Sequence, residues 1–124
     1  MRRRVLVLVS SASALMLLAS GVALAATITG TDGNDVLAGT RYADSIGAGA
    51  GDDRVNGRAG NDKIWGGDGE DKLYGGKGRD RIYTAGWYTD VVDCGPGRDW
   101  VEVDSTDRVV NCERVVDATP PGRF

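Results

Sequence analysis

Six aspartates recur at intervals of nine: Asp35, Asp44, Asp53, Asp62, Asp71 and Asp80. Two residues after each stands an aliphatic side chain: Leu37, Ile46, Val55, Ile64, Leu73 and Ile82. Carboxylates serve as general acids and bases, as nucleophiles or as ligands for hard cations, and spacing decides among these roles. A glycosidase needs one pair of carboxylates across a cleft. A set repeated at a fixed period needs a structure of the same period, and it supplies a row of oxygen ligands.

The best-formed blocks are Gly57 to Trp65, Gly66 to Tyr74 and Gly75 to Tyr83, with glycine at places one and four, aspartate at place six and the aliphatic at place eight. Extended backwards, the frame takes in Gly30 to Ala38, Gly39 to Gly47 and Ala48 to Asn56 without an insertion. Self-similarity of this period marks a stacked-repeat fold. Places seven to nine alternate as a short strand does, with place eight inward. Three residues make no independent strand, so the units must stack and form a narrow internal column of aliphatics.

The other six places are turn. Gly49, Gly51, Gly57, Gly60, Gly66, Gly67, Gly69, Gly75, Gly76 and Gly78 supply positive φ and let backbone carbonyls face a common point. Stacked turns bring like-charged aspartates to within one strand spacing, about 4.8 Å, which is stable only with a cation between them. Carboxylates and carbonyls in a crowded, flexible arrangement suit calcium, and the absence of histidine removes the usual ligand for zinc, copper or nickel. Thr31, Thr40, Arg58 and Tyr42 interrupt the glycines, so the second block is expected to be the least regular turn.

After Tyr83 the frame slips. Thr84 to Asp93 carries one extra residue and offers Asp90 and Val92; Cys94 to Glu102 restores the pattern with Asp99 and Val101; a last short unit holds Asp107, Val109 and Cys112.

The remaining chain sets the compartment. Arg2, Arg3 and Arg4, the apolar Val5 to Leu18 and the small-residue ending Ala23-Leu24-Ala25 form a secretory signal pattern, with cleavage expected after Ala25 by the general secretion route. Residues 26–124 hold all 18 acidic residues and 12 of the 15 basic ones, a net charge of −6. That balance disfavours nucleic acid and anionic lipid as partners and favours cations. Cys94 and Cys112 are the only cysteines, and an even count in an exported chain points to a disulfide. No Ser-His-Asp or Cys-His system can be built without histidine, and no phosphate loop or EF-hand spacing occurs, so the chain is expected not to be an enzyme.

Gly66-Gly67-Asp68-Gly69-Glu70-Asp71-Lys72-Leu73-Tyr74 and the block after it fit Gly-Gly-x-Gly-x-Asp-x-U-x at every defined place. Over residues 30 to about 115 the chain resembles the RTX, or haemolysin-type, calcium-binding nonapeptide repeat proteins. Its ending, Asp93 to Asp99 and Asn111 to Val115, resembles a cysteine-paired ending of small exported actinobacterial members. The resemblance implies an all-β fold: a right-handed parallel β-roll, or β-solenoid, with two nonapeptides per coil and a disulfide-closed C-terminal cap. It implies several calcium ions between turns on the same side. Asp35, Asp53, Asp71 and Asp90 would then line one edge and Asp44, Asp62 and Asp80 the other, with Asp32 and Asp68 adding third-place ligands.

The expected layout is a signal peptide over 1–25, a lead-in over 26–29, calcium-binding repeats over 30–83, degenerate repeats and cap over 84–116 and a loose tail over 117–124. Asp52 is expected to face solvent. Trp65 and Tyr83 share place nine two blocks apart and should stack on one sheet, with Tyr74 on the other. That pair either supports the sheet or offers a platform for a cell-surface glycan or protein.

Overall fold

A computed structural model describes residues 25–84 and 86–118. Eleven short parallel strands follow one another: β1 (Thr27–Thr29), β2 (Val36–Ala38), β3 (Ser45–Gly47), β4 (Arg54–Asn56), β5 (Lys63–Trp65), β6 (Lys72–Tyr74), β7 (Arg81–Tyr83), β8 (Val91–Asp93), β9 (Trp100–Val103), β10 (Arg108–Val110) and β11 (Arg114–Asp117). Odd strands form one sheet in the order β1-β3-β5-β7-β9-β11, and even strands form the other, β10-β8-β6-β4-β2. The chain therefore winds as a β-solenoid of about five coils, and each strand pairs with the strand two units on.

Register follows the nine-residue frame. Ile46 lies opposite Ile64 and Ile64 opposite Ile82 in one sheet, while Val55 lies opposite Leu73 in the other. The place-eight side chains from Leu37 to Val101 are buried, and with Ile28 they fill the space between the sheets. Parallel sheets this narrow hold together because the inward residue of every strand meets its equivalents above, below and across.

Two boundaries differ from the sequence expectation, and the expected extra residue finds its place. The lead-in is a full strand: Thr27 and Thr29 point outward and Ile28 is 1 % exposed, so the array starts one unit earlier. The far end gains β11, which runs through Asp117 into the expected tail, and the Ala118 N–H donates to the Val103 carbonyl (2.7 Å). The extra residue of the seventh unit is absorbed in an exposed turn around Gly86 to Thr89, which leaves β8 in register with β6. Residues 1–24 of the expected signal segment 1–25, residue 85 and residues 119–124 lie outside the described residues. Among the described residues no helix is long and apolar enough to cross a membrane.

Cys94 and Cys112 form the disulfide, with Cα atoms 5.1 Å apart and a sequence separation of 18. Cys94 is completely buried at the bottom of the core, and Cys112 packs against the same cluster from the last coil.

Candidate metal centre

The turns are shaped by glycine in two ways. Gly67 and Gly69 have φ of 78° and 103°, a backbone region closed to most L-residues. Gly57 has no such requirement; its Cβ would lie 2.6 Å from the Asp62 Oδ2 and 2.7 Å from the Gly75 carbonyl oxygen, so the carboxylate occupies the space a side chain would fill. Across the coils, the atom nearest to Gly67 on its crowded side is the carbonyl oxygen of Gly49, and the one nearest to Gly69 is that of Gly51. Backbone oxygens at places two and four thus face the following turn.

The aspartates form two ladders. On one edge the Asp35 N–H donates to Asp53 Oδ1 (2.8 Å), the Asp53 N–H to Asp71 Oδ1 (2.8 Å), the Asp71 N–H to Asp90 Oδ1 (2.7 Å) and the Asp90 N–H to Asp107 Oδ1 (2.8 Å). On the other, the donors Ala26, Asp44, Asp62 and Asp80 reach Asp44, Asp62, Asp80 and Asp99 Oδ1 at 2.8–3.0 Å. One oxygen of each carboxylate therefore serves as a rung between coils. The other oxygen differs. Oδ2 of Asp53, Asp62, Asp71, Asp80, Asp90, Asp99 and Asp104 is buried with no hydrogen-bond partner.

A buried carboxylate oxygen without a donor requires a proton or a cation. Loss of water pushes the carboxyls of Asp53, Asp80 and Asp90 up to about 7 and those of Asp62 and Asp71 up to about 8, from an ordinary 3.8. The backbone hydrogen bond opposes this shift, and the neighbouring charges of the ladder add to it. Burial raises Asp99 in the same way. Among the described residues no three His, Cys, Asp or Glu side chains converge on one point. Each position thus offers paired carboxylates between coils, and its remaining ligands would be carbonyl oxygens such as those of Gly49 and Gly51. An all-oxygen set of this kind fits calcium.

The structure separates the expected ligands into groups. Asp53, Asp62, Asp71, Asp80 and Asp90 stand in the ladders with an unpartnered oxygen. Asp35 and Asp44 stand in the ladders too, but Thr31 and Thr40 close them: each threonine N–H donates to Oδ2 (2.6 Å) and each hydroxyl reaches both carboxylate oxygens. These two carboxylates are capped by the chain itself, which also explains why Thr31, Thr40 and Tyr42 have no need of positive φ. Arg58, the other non-glycine at place two, takes φ of 69°. Asp32 and Asp68 are exposed and do not join the buried column. Asp52 is exposed as expected, and its Oδ1 accepts the Glu70 N–H (2.9 Å) in a lesser ladder with Asn34, while Asn61 accepts the Arg79 N–H (2.8 Å) on the other edge.

Three members were not among the expected ligands. Asp107 ends the first ladder by accepting the Asp90 N–H (2.8 Å). Asp99 continues the second ladder, and Glu113 ends it by accepting the Asp99 N–H (3.3 Å). The signal was present: Glu113-Arg114-Val115 keeps the acid-x-aliphatic spacing with a longer acid.

The aromatics stack as the frame implies. Trp65 and Tyr83 have ring centroids 5.4 Å apart at 8°, and Trp100 meets Tyr83 edge-on at 5.2 Å and 61°. Trp65 and Tyr83 turn ring faces to each other, so the pair supports the sheet more than it forms a flat open platform.

Parallel two-sheet coils with acidic rungs and glycine turns define a β-roll with cation-binding turns. The profile of the RTX calcium-binding nonapeptide repeat, in four copies, matches residues 29–64 and again 47–82, and these repeats belong to that family. No curated protein and no solved structure matches the chain.

Proposed function

We propose that this is an exported calcium-binding protein in which folding of the β-roll is coupled to calcium held between successive turns, and that its role is not catalytic. The observation that carries the reading is the run of six consecutive units, Asp53 to Asp99, whose buried Oδ2 atoms have no donor. Without an ion, each coil must hold a proton or bury a charge, and glycine-rich turns add the entropy cost of ordering. Ions that bind only the wound state reverse this balance by mass action. Extracellular calcium modules work at roughly 10⁻⁴ to 10⁻³ M, a range that would leave the chain unwound at low calcium and wound outside the cell. Export is supported by the Arg2 to Ala25 pattern and by the disulfide, a bond favoured in oxidising compartments.

Circular dichroism in calcium and after exhaustive chelation tests the coupling. The strand signal is expected to collapse on chelation and to return on calcium titration. An unchanged signal would refute the coupling.

A further inference from the structure

The C-terminal half of the odd-strand sheet carries a cluster of cations beside the Asp80–Asp99 rung of the ladder. Arg81 on β7 and Arg114 on β11 lie in register on either side of Trp100 on β9. Arg79 and Arg98 stand at place five of the turns leading into β7 and β9. Together these five side chains line an open cleft of about 760 Å³, which Asp80, Asp99 and Glu113 also line. Earlier units carry Ala43 and Asn61 at place five on this edge, so the cationic cluster belongs to the last coils alone.

Four guanidiniums in one cleft repel each other, and residues 26–124 with a net charge of −6 have acids enough to pair them. Of the acids that line the cleft, Asp80 and Asp99 are buried in the ladder, and Glu113 accepts the Asp99 N–H through Oε1. Arginines gathered side by side present forks that match carboxylate, sulfate or phosphate oxygens. Trp100 supplies the one aromatic wall, a surface for the apolar face of a ring.

We infer that this cleft binds an acidic saccharide, with its oxoanion groups on Arg79, Arg81, Arg98 and Arg114 and a sugar ring against Trp100. The wall of indole beside the arginines is what selects a charged sugar over a bare polyanion. The site is distinct from the Trp65–Tyr83 pair, whose facing rings leave no slot between them.

Isothermal titration of the purified protein at fixed free calcium, with folding checked by circular dichroism, tests this. The probes are a sulfated tetrasaccharide, a uronic-acid tetrasaccharide, a neutral tetrasaccharide and inorganic polyphosphate. One or both acidic sugars are expected to bind, more weakly as salt is raised, and which one binds identifies the oxoanion. The Arg98→Ala/Arg114→Ala pair should weaken binding at least tenfold and Trp100→Ala severalfold, whereas Arg54→Ala on the opposite sheet should leave it unchanged. All these arginines are exposed, so folding should survive, and a failure of calcium-coupled folding would appear separately in the dichroism. Absence of binding by both acidic sugars, or equal binding by the neutral one, overturns the inference. Polyphosphate binding as tightly as the sugars, with Trp100→Ala without effect, also overturns it in favour of a bare polyanion site.

Discussion

Replacing Asp71 by asparagine should shift stability in opposite directions with and without calcium. Asp71 sits mid-ladder: its Oδ1 accepts the Asp53 N–H at 2.8 Å, and its Oδ2 is buried without a donor. Burial lifts its carboxyl to about 8. In chelator at pH 7.5 the wound state must therefore hold a proton that the unwound chain releases near 3.8. At about 1.4 kcal/mol per pH unit, that costs about 5 kcal/mol. Asparagine keeps the Oδ1 acceptor and removes the titration, but its buried amide lacks an acceptor, at a cost of about 1–3 kcal/mol. The net expectation is a gain of about 2–4 kcal/mol in chelator, which for a domain near 100 residues raises Tm by roughly 10 °C or more. In calcium one charged ligand is lost, and the calcium midpoint should rise roughly tenfold. Thermal melts of both proteins in chelator and across a calcium series measure each arm. If Asp71→Asn lowers Tm equally in both conditions, the carboxylate is a hydrogen-bonding rung and nothing more, and the argument from the unpartnered oxygen fails.

Four further outcomes are expected. Without calcium, the raised carboxyls of Asp53, Asp62, Asp71, Asp80 and Asp90 make the wound state take up protons. Stability should thus be greatest below about pH 4 and fall as pH rises through 7 to 8, as chelated samples followed by dichroism would show; calcium binding near pH 7 should release protons measurable in buffers of different ionisation enthalpy. Reduction of Cys94–Cys112 opens a loop of 18 residues and should cost about 3 kcal/mol, seen as a lower denaturant midpoint in the presence of calcium. Ile64→Ala empties a completely buried column position and should cost about 2–5 kcal/mol, whereas Lys63→Ala on the same strand should change stability by less than about 0.5 kcal/mol. Gly57→Ala places a methyl against Asp62 Oδ2 and should weaken calcium binding more than Ala59→Gly does, by titration calorimetry.

Most of the architecture was legible because period and chemistry agree at each place. The inward residues Leu37 to Ile82, the three-residue strands and the alternation of Asp62 and Asp80 with Asp53 and Asp71 between two edges all follow from one frame. The ends were harder for a physical reason: terminal units must close the core, so they trade the consensus for local solutions. Ile28 lacks a preceding aspartate, and Glu113 replaces one with a longer arm, so a search for the motif passes over both. Capping of Asp35 and Asp44 by Thr31 and Thr40 depends on an N–H and a hydroxyl four residues away, which reads in sequence as a failed glycine. Place three of the frame does not give the direction of a side chain, and Asp32 and Asp68 turned outward. The four arginines come from three units, Arg79 and Arg81 sharing one, and only the winding gathers them.

The disulfide spans 18 positions where β8 and β10 lie 17 apart in register, so it joins adjacent coils at points offset by one residue. A linear array in which each coil touches only its neighbours melts from its ends inward, and here one end is clamped covalently. Fraying should then be one-sided. Amide exchange is expected to be fastest at β1 and β2 and to slow towards β8 and β9, a gradient along a molecule whose repeats look nearly alike. Reduction of the bond should make that gradient symmetrical.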